Sequence, residues 1–133
     1  MFMNGDKFEG LLGKTLIDIQ NIDNEELIFT VDDGTQYKLY HDQDCCEVVR
    51  IVDIDGDLND LLNMPILRAE EVTHEQETPE DAPILEYYDD SFTWTFYKLA
   101  TNRASVTIRW LGESNGYYSE SVEFVKTRKE REA

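Results

Sequence analysis

Hydrophobic and polar positions alternate with a period of two through most of the chain, the spacing of strands with one buried face. Leu27, Phe29 and Val31 alternate with Glu26, Ile28 and Thr30, and Tyr37 and Leu39 continue the pattern through residues 36–40. Between them stands Asp32-Asp33-Gly34-Thr35, where Asp-Gly supplies the positive φ of a tight turn, so the two runs predict a hairpin. Upstream, Leu16 and Asp18 against Ile17 and Ile19 predict a half-buried strand, followed by a polar turn over 21–24. Residues 48–52, Val-Val-Arg-Ile-Val, are rich in β-branched side chains and predict another strand. Residues 66–73 read as a strand or an extended edge.

The C-terminal third carries the plainest β pattern. Phe92, Trp94 and Phe96 share one face and Thr93, Thr95 and Tyr97 the other. After a turn at Thr101-Asn102, Val106, Ile108 and Trp110 alternate with Ser105, Thr107 and Arg109. A turn over 112–116 and the apolar positions Tyr118, Val122 and Phe124 complete the expected three-stranded meander. Two short helices are predicted. Residues 6–12 place Phe8, Leu11 and Leu12 on one face and end at Gly13; residues 57–63 begin at Asp57 as N-cap and stop before Pro65.

The expected fold is therefore a single α+β domain over residues 1–125, dominated by an antiparallel meander sheet of six or seven strands with two short helices. Its firm strands are 27–31, 36–40, 92–99, 105–111 and 118–125, with Trp94, Phe96, Val106, Ile108, Trp110, Val122 and Phe124 in the core. An acidic loop spans about 74–90, and 126–133 form a basic, frayed tail.

Composition agrees with a folded chain: of 133 residues, 41% are hydrophobic and 11% aromatic. Charge changes the picture. There are 29 Asp and Glu against 12 Lys and Arg, a net of −17. Residues 1–125 alone carry 27 acids against 8 bases, a net of −19. Residues 70–90 hold nine acids, two prolines and no Lys or Arg. Such a balance argues against direct nucleic-acid binding, which needs cations to displace phosphate counterions, and against docking on an anionic membrane. No apolar run reaches the length of a signal peptide or a membrane helix, and the only cysteines are the neighbours Cys45 and Cys46. The chain reads as soluble and cytoplasmic, without a disulfide framework.

Four features invite chemistry. His41, Cys45, Cys46 and Glu47 are all zinc-ligand types within seven residues. The simpler expectation is that one cysteine packs inward at the start of a strand while its neighbour faces outward. Asp53, Asp55, Asp57 and Asp60 surround Gly56, but Gly comes too early for a calcium loop and Met64 stands where the bidentate Glu belongs, so helix capping is the favoured role. Asn115-Gly116 predicts a hairpin turn, with Tyr117 and Tyr118 starting the returning strand on opposite faces. An exposed tyrosine there would suit a protein interface, or a pocket with Arg109, Trp110 and Asn115 that takes a small anionic nucleotide. Finally, the acids Glu70, Glu71, Glu75, Glu77, Glu80 and Asp81, with the four aspartates above, form a surface suited to a cationic partner. No phosphate-binding loop, dinucleotide fingerprint or hydrolase elbow occurs, so no cofactor and no catalytic residue is expected.

Tyr40-His-Asp-Gln-Asp-Cys-Cys-Glu47, Pro65-Ile-Leu-Arg-Ala-Glu-Glu71, Thr93-Trp-Thr-Phe-Tyr97 and Arg109-Trp-Leu-Gly-Glu-Ser-Asn-Gly-Tyr-Tyr-Ser-Glu120 stand in this order. With them the chain resembles, over about residues 13–125, a family of small domains encoded mostly by bacteriophages. The resemblance brings no catalytic residue. It implies a phage accessory protein acting in the host cytoplasm, a class that includes inhibitors of restriction and CRISPR enzymes. The leading functional expectation is accordingly a non-enzymatic acidic protein, monomer or homodimer, that binds the basic surface of a bacterial host protein, a nucleic-acid-binding enzyme or defence effector whose groove it occupies as a nucleic-acid mimic and so inhibits. Sequestration of a nucleotide signal is the alternative, and a metal-dependent enzyme using His41, Cys45 and the 53–60 carboxylates is a second one.

Overall fold

The computed structural model describes residues 7–75 and 91–128. Within them the chain forms eight strands: β1 (Leu16–Ile22), β2 (Glu26–Val31), β3 (Gln36–Tyr40), β4 (Val48–Asp55), β5 (Arg68–Glu75), β6 (Ser91–Ala100), β7 (Ser105–Ser114) and β8 (Glu123–Arg128). They make two four-stranded sheets, ordered β1-β2-β3-β8 and β4-β7-β6-β5. Every pairing is antiparallel.

The expected single sheet of six or seven strands is thus corrected to eight strands in two sheets. The meander fails at its last step. β6 and β7 form the expected hairpin, from Ser91↔Ser114 to Ala100↔Ser105. β7 then runs on through Ser114, and residues 115–122 cross to the other sheet, where β8 pairs with β3 from Tyr40↔Glu123 to Gln36↔Arg128. The reason is an occupied edge: β4 already pairs with the far side of β7, Ile51 opposite Trp110. The strand expected over 118–125 starts only at Glu123, and Lys126–Arg128, expected in a frayed tail, are strand residues. Likewise His74 and Glu75 are not loop but the end of β5, opposite Trp94 and Thr93.

The two expected helices are single 3-10 turns, Phe8–Leu11 and Leu58–Leu61. Neither segment can repay helix nucleation: the first contains Gly10 and ends at Gly13 (φ +82°), and the second runs into Asn63 (φ +69°) and Pro65. In a 3-10 turn residues three apart eclipse, so Phe8 and Leu11 are buried together while Leu12 is 49% exposed. Asp57 does cap the second turn, its carboxylate accepting the Asn59 N–H at 2.9 Å. The β1–β2 turn is carried by Asp23 and Asn24 at φ +55° and +60°, and the β2–β3 turn by Gly34 at φ +94°.

The alternation read from the sequence places Leu27, Phe29, Tyr37, Leu39 and Phe124 on the inner face of one sheet. Ile51, Tyr97, Leu99, Val106, Ile108 and Trp110 line the inner face of the other. Phe8 bridges the two, its ring 4.7 Å from Tyr97 and 5.3 Å from Phe124, and Phe124 stacks on Tyr37 at 5.0 Å. The expected core list is divided by the fold. Trp94 and Phe96 are buried, but with Leu111 in a separate cluster on the opposite face of β6–β7, while Tyr97 takes the inner position. Val122 is only partly buried.

Candidate functional site

Toward one end of β5 and β6 the inner face turns from apolar to polar. Glu71, Thr73 and Glu75 on β5 stand opposite Tyr97, Thr95 and Thr93 on β6. With side chains alternating every second residue, all six project from the same face. A face of carboxylates and hydroxyls cannot seat the other sheet, and the crossing segment 115–122 lies over it instead. Between them is a cleft of about 420 Å³, lined by Glu71, Thr73, Glu75, Ser91, Thr93 and Thr95 on the sheet side and by Gly116, Tyr118 and residues 119–122 across from it.

Three contacts hold the crossing segment. The Glu120 carboxylate accepts from the Thr93 hydroxyl at 2.7 Å and from the fully buried Ser114 hydroxyl at 2.5 Å. Gly112 makes room for it: a Cβ there would stand 2.6 Å from the Glu120 carbonyl oxygen. One residue on, the Ser121 carbonyl oxygen meets His41 Nδ1 at 2.7 Å.

The acids of the cleft differ in their partners. Tyr97 is fully buried and donates its hydroxyl to Glu71 Oε2 at 2.5 Å. Burial, and after it the Glu71 carboxylate, push the phenol well above its ordinary range, so it stays a donor. Among the described residues, the Glu75 carboxylate and the Thr95 hydroxyl accept or donate no hydrogen bond. Thr95 is only 4% exposed, and its side chain faces the cleft. Tyr118 is half-buried at the rim, and Tyr117 beside it is 88% exposed.

The acidic residues read from the sequence as one surface are divided among separate places. Glu71 and Glu75 enter the cleft. Glu70 points to the opposite face of β5 and pairs with Arg68 at 2.9 Å, a hydrogen bond that lowers its pKa. Asp53 and Asp55 lie on β4, the far edge of the same sheet, about 14 Å away at the usual strand spacing. Both face Arg109: Asp53 in direct contact with Nη1, Asp55 at 3.9 Å from Nη2. Asp57 is a cap, Asp60 is exposed, and Glu77, Glu80 and Asp81 lie outside the described residues.

Arg109, Trp110, Asn115 and Tyr117 do not assemble into one pocket. Arg109 and Trp110 are strand neighbours and face opposite sides of the sheet, the guanidinium packing over Phe96 and the indole in the inner core. Asn115 accepts the Tyr117 N–H at 3.0 Å within its own turn.

Residues 41–47 are a latch rather than a ligand cluster. Glu47 is buried, and its carboxylate accepts the N–H groups of Asp44 (2.7 Å) and Cys45 (3.0 Å) and meets His41 Nε2 at 2.7 Å. The hydrogen bond to His41, helped by the backbone donors and opposed by burial, lowers its pKa from 4.5 to about 2. Cys45 and Cys46 are joined to each other by a disulfide and both are exposed, so neither packs inward as expected. Strand alternation does not apply to them, because β4 begins only at Val48. Among the described residues no three His, Cys, Asp or Glu side chains are placed to share a metal ion.

Sequence reading missed Thr93, Thr95, Ser114 and Glu120 as a group. The threonine stripe opposite Trp94 and Phe96 was its one visible signal; the place of Glu120 depends on a chain crossing that no local pattern announces. No curated protein and no solved structure matches the chain. A family model does, over residues 9–124: the chain belongs to the family described as a domain of unknown function, DUF7448.

Proposed function

We propose that this protein is a non-enzymatic binding protein whose acidic surface engages a basic surface of another protein. The observation that supports this best is the cleft, where Glu71 and Glu75 face Tyr118 at the rim, with the 88% exposed Tyr117 next to it in the chain, the side-chain type that anchors interfaces. A net charge of −17 adds long-range attraction for a cationic partner. The resemblance to phage-encoded domains supports a bacterial host protein as that partner, and the charge supports a groove that otherwise holds nucleic acid, so that binding inhibits it. An anionic nucleotide as ligand has less support, because Arg109 is already matched by Asp53 and Asp55.

The test is affinity capture from bacterial lysate with the full chain. Attraction between exposed charges fades over a Debye length of about 8 Å at physiological ionic strength. A nucleic-acid-binding enzyme should therefore be retained at low salt and released at high salt. The variant Glu70→Gln/Glu71→Gln/Glu75→Gln should retain much less of it. Equal capture by the neutralised variant would overturn the reading.

A further inference from the structure

We infer that the cleft between β5–β6 and residues 115–122 is a socket for a single guanidinium, an arginine side chain presented by the partner's basic surface. The inference rests on the partner-binding reading above and names the group recognised.

Three observations converge on it. The cleft, about 420 Å³, is the size of one or two side chains rather than of a folded element. Its carboxylates are incompletely used: Glu75 is unpaired among the described residues, and Glu71 spends one oxygen on Tyr97 and keeps the other. The Thr95 hydroxyl, on a residue 4% exposed, opens into the same space without a partner. The residue is enclosed while its hydroxyl stays open to the cleft, within reach of an occupant with a matching hydrogen-bonding group.

Shape then selects among cations. No three carboxylates come close enough to share a metal ion among the described residues, so a point charge would be poorly held. The acceptors are instead spread along β5 and β6, Glu71 and Glu75 being four residues apart with the Thr73–Thr95 pair between them. Glu71 and Glu75 stand roughly 13 Å apart along the strand, so a guanidinium seated at Thr95 would engage that hydroxyl and one of the two carboxylates: it is planar, carries five donors in a fixed fork, and is weakly hydrated. Tyr118 at the rim offers an aromatic surface on which such a plane can lie. An ammonium, compact and strongly hydrated, would reach fewer of these acceptors at once.

The probe is N-acetyl-L-arginine methylamide, titrated into the full chain at low salt and followed by amide NMR shifts, with N-acetyl-L-lysine methylamide as comparison. Saturable shifts confined to the residues around Thr93, Thr95, Tyr118 and Glu120 are expected with the arginine compound, and weaker ones with lysine. Thr95→Val should weaken arginine binding about threefold or more, as one lost hydrogen bond would, while Thr95→Ser restores it. Glu75→Gln should weaken it at least as much. Equal response to both compounds, no response at millimolar concentration, or shifts spread evenly over the acidic surface would overturn the socket. Capture of the lysate partner separates the two readings. If Thr95→Val weakens arginine binding yet leaves capture unchanged, the socket is not the partner's contact, whereas insensitivity of capture to the β5 neutralisation overturns the acidic-surface reading itself.

Discussion

Glu47 shows how one side chain can organise a loop. Nothing in the local sequence distinguishes it from the other acids, yet it is 3% exposed and takes hydrogen bonds from two backbone N–H groups and contact from His41. Its pKa, lowered from 4.5 to about 2, makes the folded state favour the ionised form. The stability this contributes is fully present above pH 4.5 and is lost as the pH falls toward 2. Urea unfolding midpoints measured across that window should therefore drop more steeply for the native chain than for Glu47→Gln. Parallel slopes would show that the latch does not carry the acid sensitivity. The same residues were legible as a dense group of polar and ligand types, but their use was not, because the bond that defines them, His41 to the Ser121 carbonyl, spans 80 positions.

At the scale of elements, the crossing segment 115–122 is what converts a polar sheet end into a cleft. Its seat depends on an absence. The Cβ of an alanine at position 112 would meet the Glu120 carbonyl oxygen at 2.6 Å and the Glu120 Cβ at 2.7 Å, and neither the strand nor the segment can yield cheaply. Gly112→Ala should cost about 1–3 kcal/mol, the range for forced overpacking. Amide shifts should concentrate at residues 116–122, leaving β1–β2 unchanged. A variant with native stability and native shifts would show that the close approach is not needed. Sequence reading took this glycine as the start of a hairpin turn, a reasonable use of a Gly-rich stretch with Asn-Gly at its end. Turn chemistry says that the chain bends. It does not say which strand receives it next, and here the neighbouring edge was filled by β4.

For the whole molecule, the two sheets are joined by aromatic packing, with Phe8 set between Tyr97 and Phe124. Phe124 also stacks on Tyr37 at 5.0 Å, so β8 is tied to the core by one ring as well as by its pairing with β3. Phe124→Ala should lower unfolding stability by about 3–5 kcal/mol. Val122→Ala, at a partly buried position, should cost about 1 kcal/mol. Equal effects in denaturant titrations would mean that the ring cluster is not the joint. The acidic surface is also a property at this scale: its charge was countable from composition, but Asp53 and Asp55 belong to one edge strand of a sheet and Glu71 and Glu75 to the inner face of the opposite edge strand of the same sheet. The acids therefore form two separate places rather than one continuous surface.

Strand identity, the β2–β3 and β6–β7 hairpins, the Asp57 cap and the large excess of acid follow from neighbours a few residues apart, and the chain's order of side chains was sufficient for them. Alternation even assigned Thr93, Thr95 and Tyr97 to a common face. What folding settled was the competition for edges: β4 takes β7, β8 goes to β3, and a meander becomes two sheets. Hydrogen-bonding edges are interchangeable until one is occupied, and an alternating pattern marks a buried face without marking the strand beside it. The cleft, its unpartnered threonine and the vantage of its carboxylates are consequences of that choice, which is why they came into view only with the folded chain.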